Sequence, residues 1–113
     1  MKFVVLLLGI ALPLQGLGLS SAAQEFMAIS KELEPVQCEK RQLRRKIALA
    51  EAERRDADAK AARARFATLN QDAKTTRLEK RLAQLEPRLR KSADPEDLPA
   101  ISLQQREAFY RCE

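Results

Sequence analysis

Histidine and tryptophan are absent from this chain of 113 residues. Histidine is the commonest general base and metal ligand near neutral pH, so its absence removes the usual basis for catalysis or metal binding. Two cysteines would need carboxylates to complete a zinc site, and the sequence has no glycine-rich loop to bind a phosphate. Carboxylates alternate with arginines, which is typical of solvated helix faces and not of an apolar pocket that tunes a catalytic acid. We therefore expect a protein that is not an enzyme and has no cofactor and no metal site.

Glycine is scarce and is confined to Gly9, Gly16 and Gly18, near the N-terminus. It is the residue that most readily adopts the left-handed conformation of tight turns. β-Branched residues are also few, whereas Ala, Arg, Leu, Glu, Lys and Gln, the best helix formers, are abundant. The composition predicts an all-α protein, either a helical hairpin or a small antiparallel bundle with coiled-coil character.

The N-terminal segment has the layout of a secretory signal peptide. Lys2 provides a short positive start, an apolar stretch follows, and Ser21 and Ala23 form a small-x-small pattern. We expect residues 1–23 to be a signal peptide that is cleaved after Ala23. The apolar stretch of about a dozen residues is shorter than the roughly 20 that span a bilayer, which argues against an uncleaved anchor. Export is expected, with a bacterial periplasm favoured over eukaryotic secretion, and the mature chain should have no transmembrane segment.

The mature chain, residues 24–113, should form a single helical domain. Pro35 should end or kink a helix, because proline lacks the amide hydrogen and clashes with the preceding turn. The stretch TLNQDAKTT is the weakest helical segment and should contain the bend. These signals predict a first helix over 25–34, a long helix over about 36–69, a bend at about 70–75, a helix over about 76–91, a polar linker over 92–98 and a C-terminal helix over about 99–112.

Four leucines in the second half of the chain form the apolar seam of a coiled coil. Their spacing is 4-3-4, and the residues are Leu78, Leu82, Leu85 and Leu89. The long helix is rich in alanine and covers little apolar area, so we expect part of this seam to remain exposed. It would then bind another envelope protein or a second copy of the chain in a homodimer.

A basic cluster, KRQLRRK, lies in the predicted long helix. Its members lie at i, i+1, i+4 and i+5 and should share one helix face: Lys40, Arg41, Arg44 and Arg45. One interpretation is an electrostatic patch for an anionic partner such as lipopolysaccharide phosphates, anionic lipid or an acidic polypeptide. The alternative is a solubilising face on a coiled coil. Export argues against nucleic acid as a partner.

The two cysteines, Cys38 and Cys112, lie 74 positions apart. Export permits oxidation, and an even number of cysteines leaves no unpaired thiol. We expect an intramolecular disulfide that clasps the open end of a helical hairpin, since the midpoint between the two cysteines falls in the predicted bend. An intermolecular disulfide and two free thiols are the alternatives.

A short motif near the C-terminus resembles a family of chaperones. Residues 101–105, ISLQQ, resemble the LTxxQ box of the periplasmic stress chaperones of the Spy and CpxP type, with Ile for Leu and Ser for Thr. Residues 67–71, ATLNQ, form a poorer second copy. Those chaperones are small, exported, all-helical and basic. The motif is equally a capping box, in which Ser102 and Gln105 satisfy each other's backbone N–H groups.

Two functions are compatible with these features. The first is a structural or adaptor module of the cell envelope that binds another protein through its helical surface. The second, which the resemblance implies, is a periplasmic holdase-like chaperone that uses the basic helical face.

Overall fold

The computed structural model describes residues 18–112, and these residues form four α-helices. The helices are α1 (Ser21–Ala52), α2 (Asp56–Gln71), α3 (Ala73–Arg90) and α4 (Asp97–Arg111). The described residues contain no strand, which confirms the predicted all-α class. Most of the expected signal peptide, residues 1–17, lies outside the described part of the chain.

α1 is the spine of the fold and is about 48 Å long at 1.5 Å per residue. α2 and α3 run back antiparallel along it, since ion pairs join Glu39 to Arg65 and, farther from the turn, Glu25 to Arg81. α4 then runs parallel to the N-terminal half of α1. This half packs with α3 and α4 in one core, whereas the C-terminal half packs with α2 in a second core.

The core face of α1 follows a heptad pattern. Its buried and half-buried residues alternate at spacings of three and four, as in a coiled coil: Phe26, Ile29, Leu33, Val36, Lys40, Leu43, Ile47 and Ala50. The larger side chains lie in the N-terminal half of α1, which packs against both α3 and α4. Near the turn, the small residues Ala50 of α1 and Ala59 and Ala62 of α2 are buried. The predicted coiled-coil character is therefore present.

The chain reverses direction at residues 53–55, not at residues 70–75 as the sequence predicted. Arg54 adopts a left-handed conformation with φ of 58°. Its N–H donates to the Glu51 carbonyl at 3.2 Å, and the Arg55 N–H donates to the Ala50 carbonyl at 2.8 Å. This is a Schellman motif, in which glycine is the usual left-handed residue. The prediction was wrong because a non-glycine residue occupies that position here, so the sequence carries no turn signal.

The break at residue 72 interrupts the returning arm without reversing it. Asp72 caps α3, accepting hydrogen bonds from the Thr75 N–H and hydroxyl, both at 2.9 Å. These donors hold the pKa of the Asp72 carboxyl below its ordinary value. The turn-forming residues were therefore identified correctly, but they begin a new helix that continues along α1.

Pro35 lies inside α1, and the helix continues past it. The prediction that a helix ends at this proline was wrong. Leu33 is buried on one side of Pro35 and Leu43 on the other. Because Leu33 packs with α3 and α4 and Leu43 packs with α2, tertiary contacts hold the helix on both sides of Pro35 and offset the hydrogen bond that proline cannot donate.

Ion pairs connect α1 to each of the other helices. The Arg81 guanidinium holds the pKa of the Glu25 carboxyl below its ordinary value of 4.5, and Arg111 acts likewise on Glu34. A carboxyl whose pKa is lowered on folding stabilises the fold above its ordinary pKa and loses that effect as the pH falls through the lowered value. These pairs are exposed, so each contributes little.

Candidate protein-interaction surface

α4 is attached to α1 in a fixed parallel register. Contacts between the two helices join residues 77 positions apart and recur every seven residues, from Ser20 and Asp97 through Met27 and Gln104 to Glu34 and Arg111. A disulfide between Cys38 and Cys112 ends this series, with a Cα–Cα distance of 5.5 Å. The intramolecular pairing is confirmed. It fastens α4 to the middle of α1, however, and does not close the open end of a two-helix hairpin.

Asp97 anchors the opposite end of α4. Its carboxylate is fully buried and accepts hydrogen bonds from the Ser20 N–H at 3.0 Å, the Ser20 hydroxyl at 2.6 Å and the Ser92 hydroxyl at 2.8 Å. Burial raises the pKa of this carboxyl, but the hydrogen bonds outweigh burial and leave the pKa below its ordinary value. The carboxylate therefore stays ionised and holds α4 against the start of α1.

α4 exposes four large apolar side chains to solvent, which we call the α4 apolar surface. It consists of Leu98, Leu103, Phe109 and Tyr110, each between 49% and 69% exposed. Within the described residues, the remaining exposed side chain of this kind is Leu49, near the opposite tip of the molecule. A concentration of apolar side chains on one exposed helix is typical of an interaction site.

The residues of the basic cluster lie in different environments and do not form one surface. The Arg41 guanidinium lies 4.8 Å from the centre of the Phe109 ring, a cation–π contact that places it beside the α4 apolar surface. Arg44 lies instead over the Phe66 ring of α2 at 5.7 Å, and Arg45 is exposed. Residues four apart share a helix face, so Arg45 continues the row that begins at Arg41.

Lys40 does not belong to an exposed basic face. It is 5% exposed and occupies a core position of the α1 heptad. Its ammonium donates to the Glu79 carboxylate of α3 at 3.0 Å, and Gln37 donates to the same oxygen at 3.1 Å. The expected grouping of Lys40 with the other basic residues was wrong, because the apolar periodicity of α1 passes through position 40.

This buried pair supports a stability prediction. Glu79→Ala should lower the free energy of unfolding by about 2 kcal/mol, because it leaves the buried Lys40 ammonium without its anionic partner. The double variant Lys40→Met/Glu79→Leu should be neutral or stabilising, since it replaces both members of the ion pair with apolar side chains. Urea denaturation would measure both. Glu86→Ala is the matched control, because Glu86 forms only an exposed contact with Arg90; equal losses for the two glutamate variants would contradict the prediction.

The leucine seam is covered within the chain. Leu85 and Leu89 are 0% and 4% exposed, and Leu78 and Leu82 are half-buried against the same cluster. Phe26, Ile29 and Leu33 of α1 belong to that cluster. The seam is therefore largely covered, because α3 packs on the leucine- and phenylalanine-rich half of α1 and not on its alanine-rich half. Leu78 and Leu82 stay partly accessible, and the binding of a partner to them stays a prediction.

The ISLQQ motif lies inside α4. Ile101 is buried in the core, and the Gln104 side-chain amide donates to the Met27 carbonyl at 2.9 Å. Ser102 is an interior helical residue, so it does not cap the helix; Glu96 occupies that position without a side-chain hydrogen bond. The capping-box interpretation was therefore wrong, and the motif attaches α4 to α1.

A groove of about 290 Å³ lies between α1 and α4, next to α3. Its apolar lining includes Phe26, Leu33 and Leu82, and Gln37 and Arg41 supply polar groups. The volume is just below the range of about 300–1,000 Å³ that is typical of small-ligand sites.

Three further observations bear on function. Among residues 18–112, no helix has both the length and the apolar character needed to cross a membrane. The same residues contain no group of three or more His, Cys, Asp or Glu side chains placed to hold a metal ion. Comparisons of the chain with protein-family models, curated proteins and solved structures found no match.

Sequence reasoning did not identify the α4 apolar surface. No prediction was made for Phe109 and Tyr110, which are adjacent and lie close to Cys112. The available signal was the position of Leu103 and Tyr110 on the side of the helix opposite Ile101. Recognising it requires knowing which face of α4 meets α1.

Proposed function

We propose that this protein is a non-enzymatic, exported helical module of the cell envelope that binds another protein through the α4 apolar surface. The observation that carries the proposal is the concentration of exposed Leu98, Leu103, Phe109 and Tyr110 on one helix. A disulfide at one end and the buried Asp97 at the other hold this helix rigid, which lowers the entropy lost on binding.

The charges beside the surface indicate the chemistry of the partner. Arg41 stacks on Phe109, Arg45 lies one turn away, and neither forms an ion pair within the described residues. Complementary charge increases the association rate and the specificity of protein binding. We therefore expect a protein partner that presents apolar side chains next to acidic ones.

Co-purification with the full exported chain tests this function. The double variant Leu103→Ser/Tyr110→Ser should lose the captured partner while its helical circular dichroism spectrum stays unchanged, because both side chains are exposed. Arg44→Glu/Arg45→Glu should weaken the same interaction without unfolding the protein. Leu49→Ser is the matched control, since Leu49 is equally exposed but distant from α4. Capture of the same partner by all four proteins would contradict the proposal.

A holdase-like chaperone is a second candidate. The groove supports it, because its apolar floor, with Arg41 at the rim, matches an apolar side chain of an unfolded client. The assay is aggregation of a reduced client protein followed by light scattering. Suppression should be lost in Leu82→Gln, which places a polar group in the groove. No suppression by the wild-type protein in stoichiometric excess would reject this function.

A further inference from the structure

Residues just before position 24 belong to the folded domain. Ser20 caps α1, and its hydroxyl accepts a hydrogen bond from the Ala23 N–H at 3.1 Å. Ala23 is fully buried in the core that contains Leu85, and Leu19 and Ala22 pack against the same core. Cleavage after Ala23 would remove all of these contacts.

Ser20 also secures α4. Two of the three hydrogen bonds to the buried Asp97 carboxylate come from Ser20, and the third comes from Ser92. A chain that begins at Gln24 would leave this carboxylate with only one of its three donors. The two lost hydrogen bonds are made to a charged group, and such bonds contribute more to stability than those between neutral groups. Such a chain would lose the Asp97 anchor and would hold α4 through the disulfide, the buried Ile101 and the contacts of Gln104 and Arg111.

A second small-x-small pattern lies five residues upstream of Ser21 and Ala23. Gly16 and Gly18 flank Leu17 and satisfy the same preference for small residues at a signal cleavage site. Gly18 lies against the Glu96 carboxylate, since a side chain placed on Gly18 would meet it. A new α-ammonium group on Leu19 would therefore stand next to a negative charge.

We propose that the leader ends at Gly18 and that the exported protein begins at Leu19. The inference rests on the proposed export of the chain. A signal peptidase would hydrolyse the peptide bond between Gly18 and Leu19, with water supplying the hydroxyl of the new carboxyl group and the proton of the new amine. The product keeps the α1 cap, both donors from Ser20 and the buried Ala23, whereas cleavage after Ala23 removes them.

Intact mass of the exported protein is the first test. The full chain, expressed with its own leader in a Gram-negative host, should yield a product that lacks residues 1–18. A product that lacks residues 1–23 would overturn this inference and leave export intact. An unprocessed chain of 113 residues would overturn export and, with it, the proposed cleavage.

Two substitutions separate the cleavage sites. Gly18→Leu should abolish the product that begins at Leu19, because it places a large residue next to the scissile bond. Ser21→Leu is the matched control: it disrupts the downstream small-x-small pattern at an exposed position and should leave processing unchanged. If Gly18→Leu leaves processing unchanged and Ser21→Leu blocks it, the leader is cleaved after Ala23 and not after Gly18.

The stability of the two possible products provides an independent readout. A chain beginning at Leu19 should melt roughly 5 °C or more above a chain beginning at Gln24, because only the longer chain keeps the two Ser20 hydrogen bonds and the α1 cap. Equal melting temperatures would remove the structural basis of the proposal.

Discussion

Cys112→Ser should lower the free energy of unfolding by on the order of 4 kcal/mol. The disulfide joins residues 74 positions apart, and the loop-closure entropy that it removes from the unfolded chain grows with that separation. The rest of the α1–α4 interface is limited. The Gln104 side-chain carbonyl, for example, is buried with no hydrogen-bond partner among the described residues. The covalent link therefore supplies much of the attachment of α4.

Thermal or urea denaturation with and without a reductant measures this effect. Reduced wild-type protein should match the double variant Cys38→Ser/Cys112→Ser, and the reductant should not change that variant further. Amide hydrogen exchange should accelerate first in residues 97–111, because reduction leaves α4 anchored mainly through Asp97 and Ile101. Equal stability of the oxidised and reduced wild-type proteins would contradict the prediction.

Leu85→Ala should cost about 3–4 kcal/mol of unfolding free energy. Leu85 is fully buried where α1 and α3 meet, in the same cluster as Phe26 and Leu33. Truncation removes its transfer free energy and leaves a cavity. The cavity cannot collapse easily, because Leu85 belongs to a cluster built from α1, α3 and α4, and three helices would have to move together to fill it.

Leu49→Ala provides the comparison for the same chemical change. Leu49 is 55% exposed near the end of α1, so its truncation should alter the unfolding free energy by less than about 0.5 kcal/mol. Urea denaturation of both variants would measure the two changes in unfolding free energy. Similar losses at the two positions would show that the core is not centred on the leucine seam.

Several features could be predicted from local sequence because their causes are local. The scarcity of glycine and the abundance of helix formers indicated helices. The spacing of Leu85 and Leu89 indicated a coiled-coil seam, and the turn-forming residues around Asp72 marked a break between two helices. The cysteine pairing followed from there being only two cysteines in a chain expected to be exported. The predicted pairing was correct although the predicted position of the bend was wrong.

Other features depend on which helices meet. Arg54 adopts a left-handed turn because α1 and α2 close on small alanines, and no local signal marks it. Lys40 is buried because Glu79 of a distant helix lies opposite. The burial of Ala23, on which the proposed cleavage after Gly18 rests, likewise depends on contacts with distant helices.

The amino-acid sequence by itself therefore determined the helical class, the heptad faces and the possibility of a single disulfide, since these depend on residue type and spacing along one helix. Only the tertiary structure decided where the chain reverses, that α4 runs parallel to α1 in the register of Ser20 and Asp97, and that Phe109 and Tyr110 face outward. The physical reason is that each of these features depends on contacts between residues far apart in the chain. Residue type and spacing along one helix do not specify those contacts.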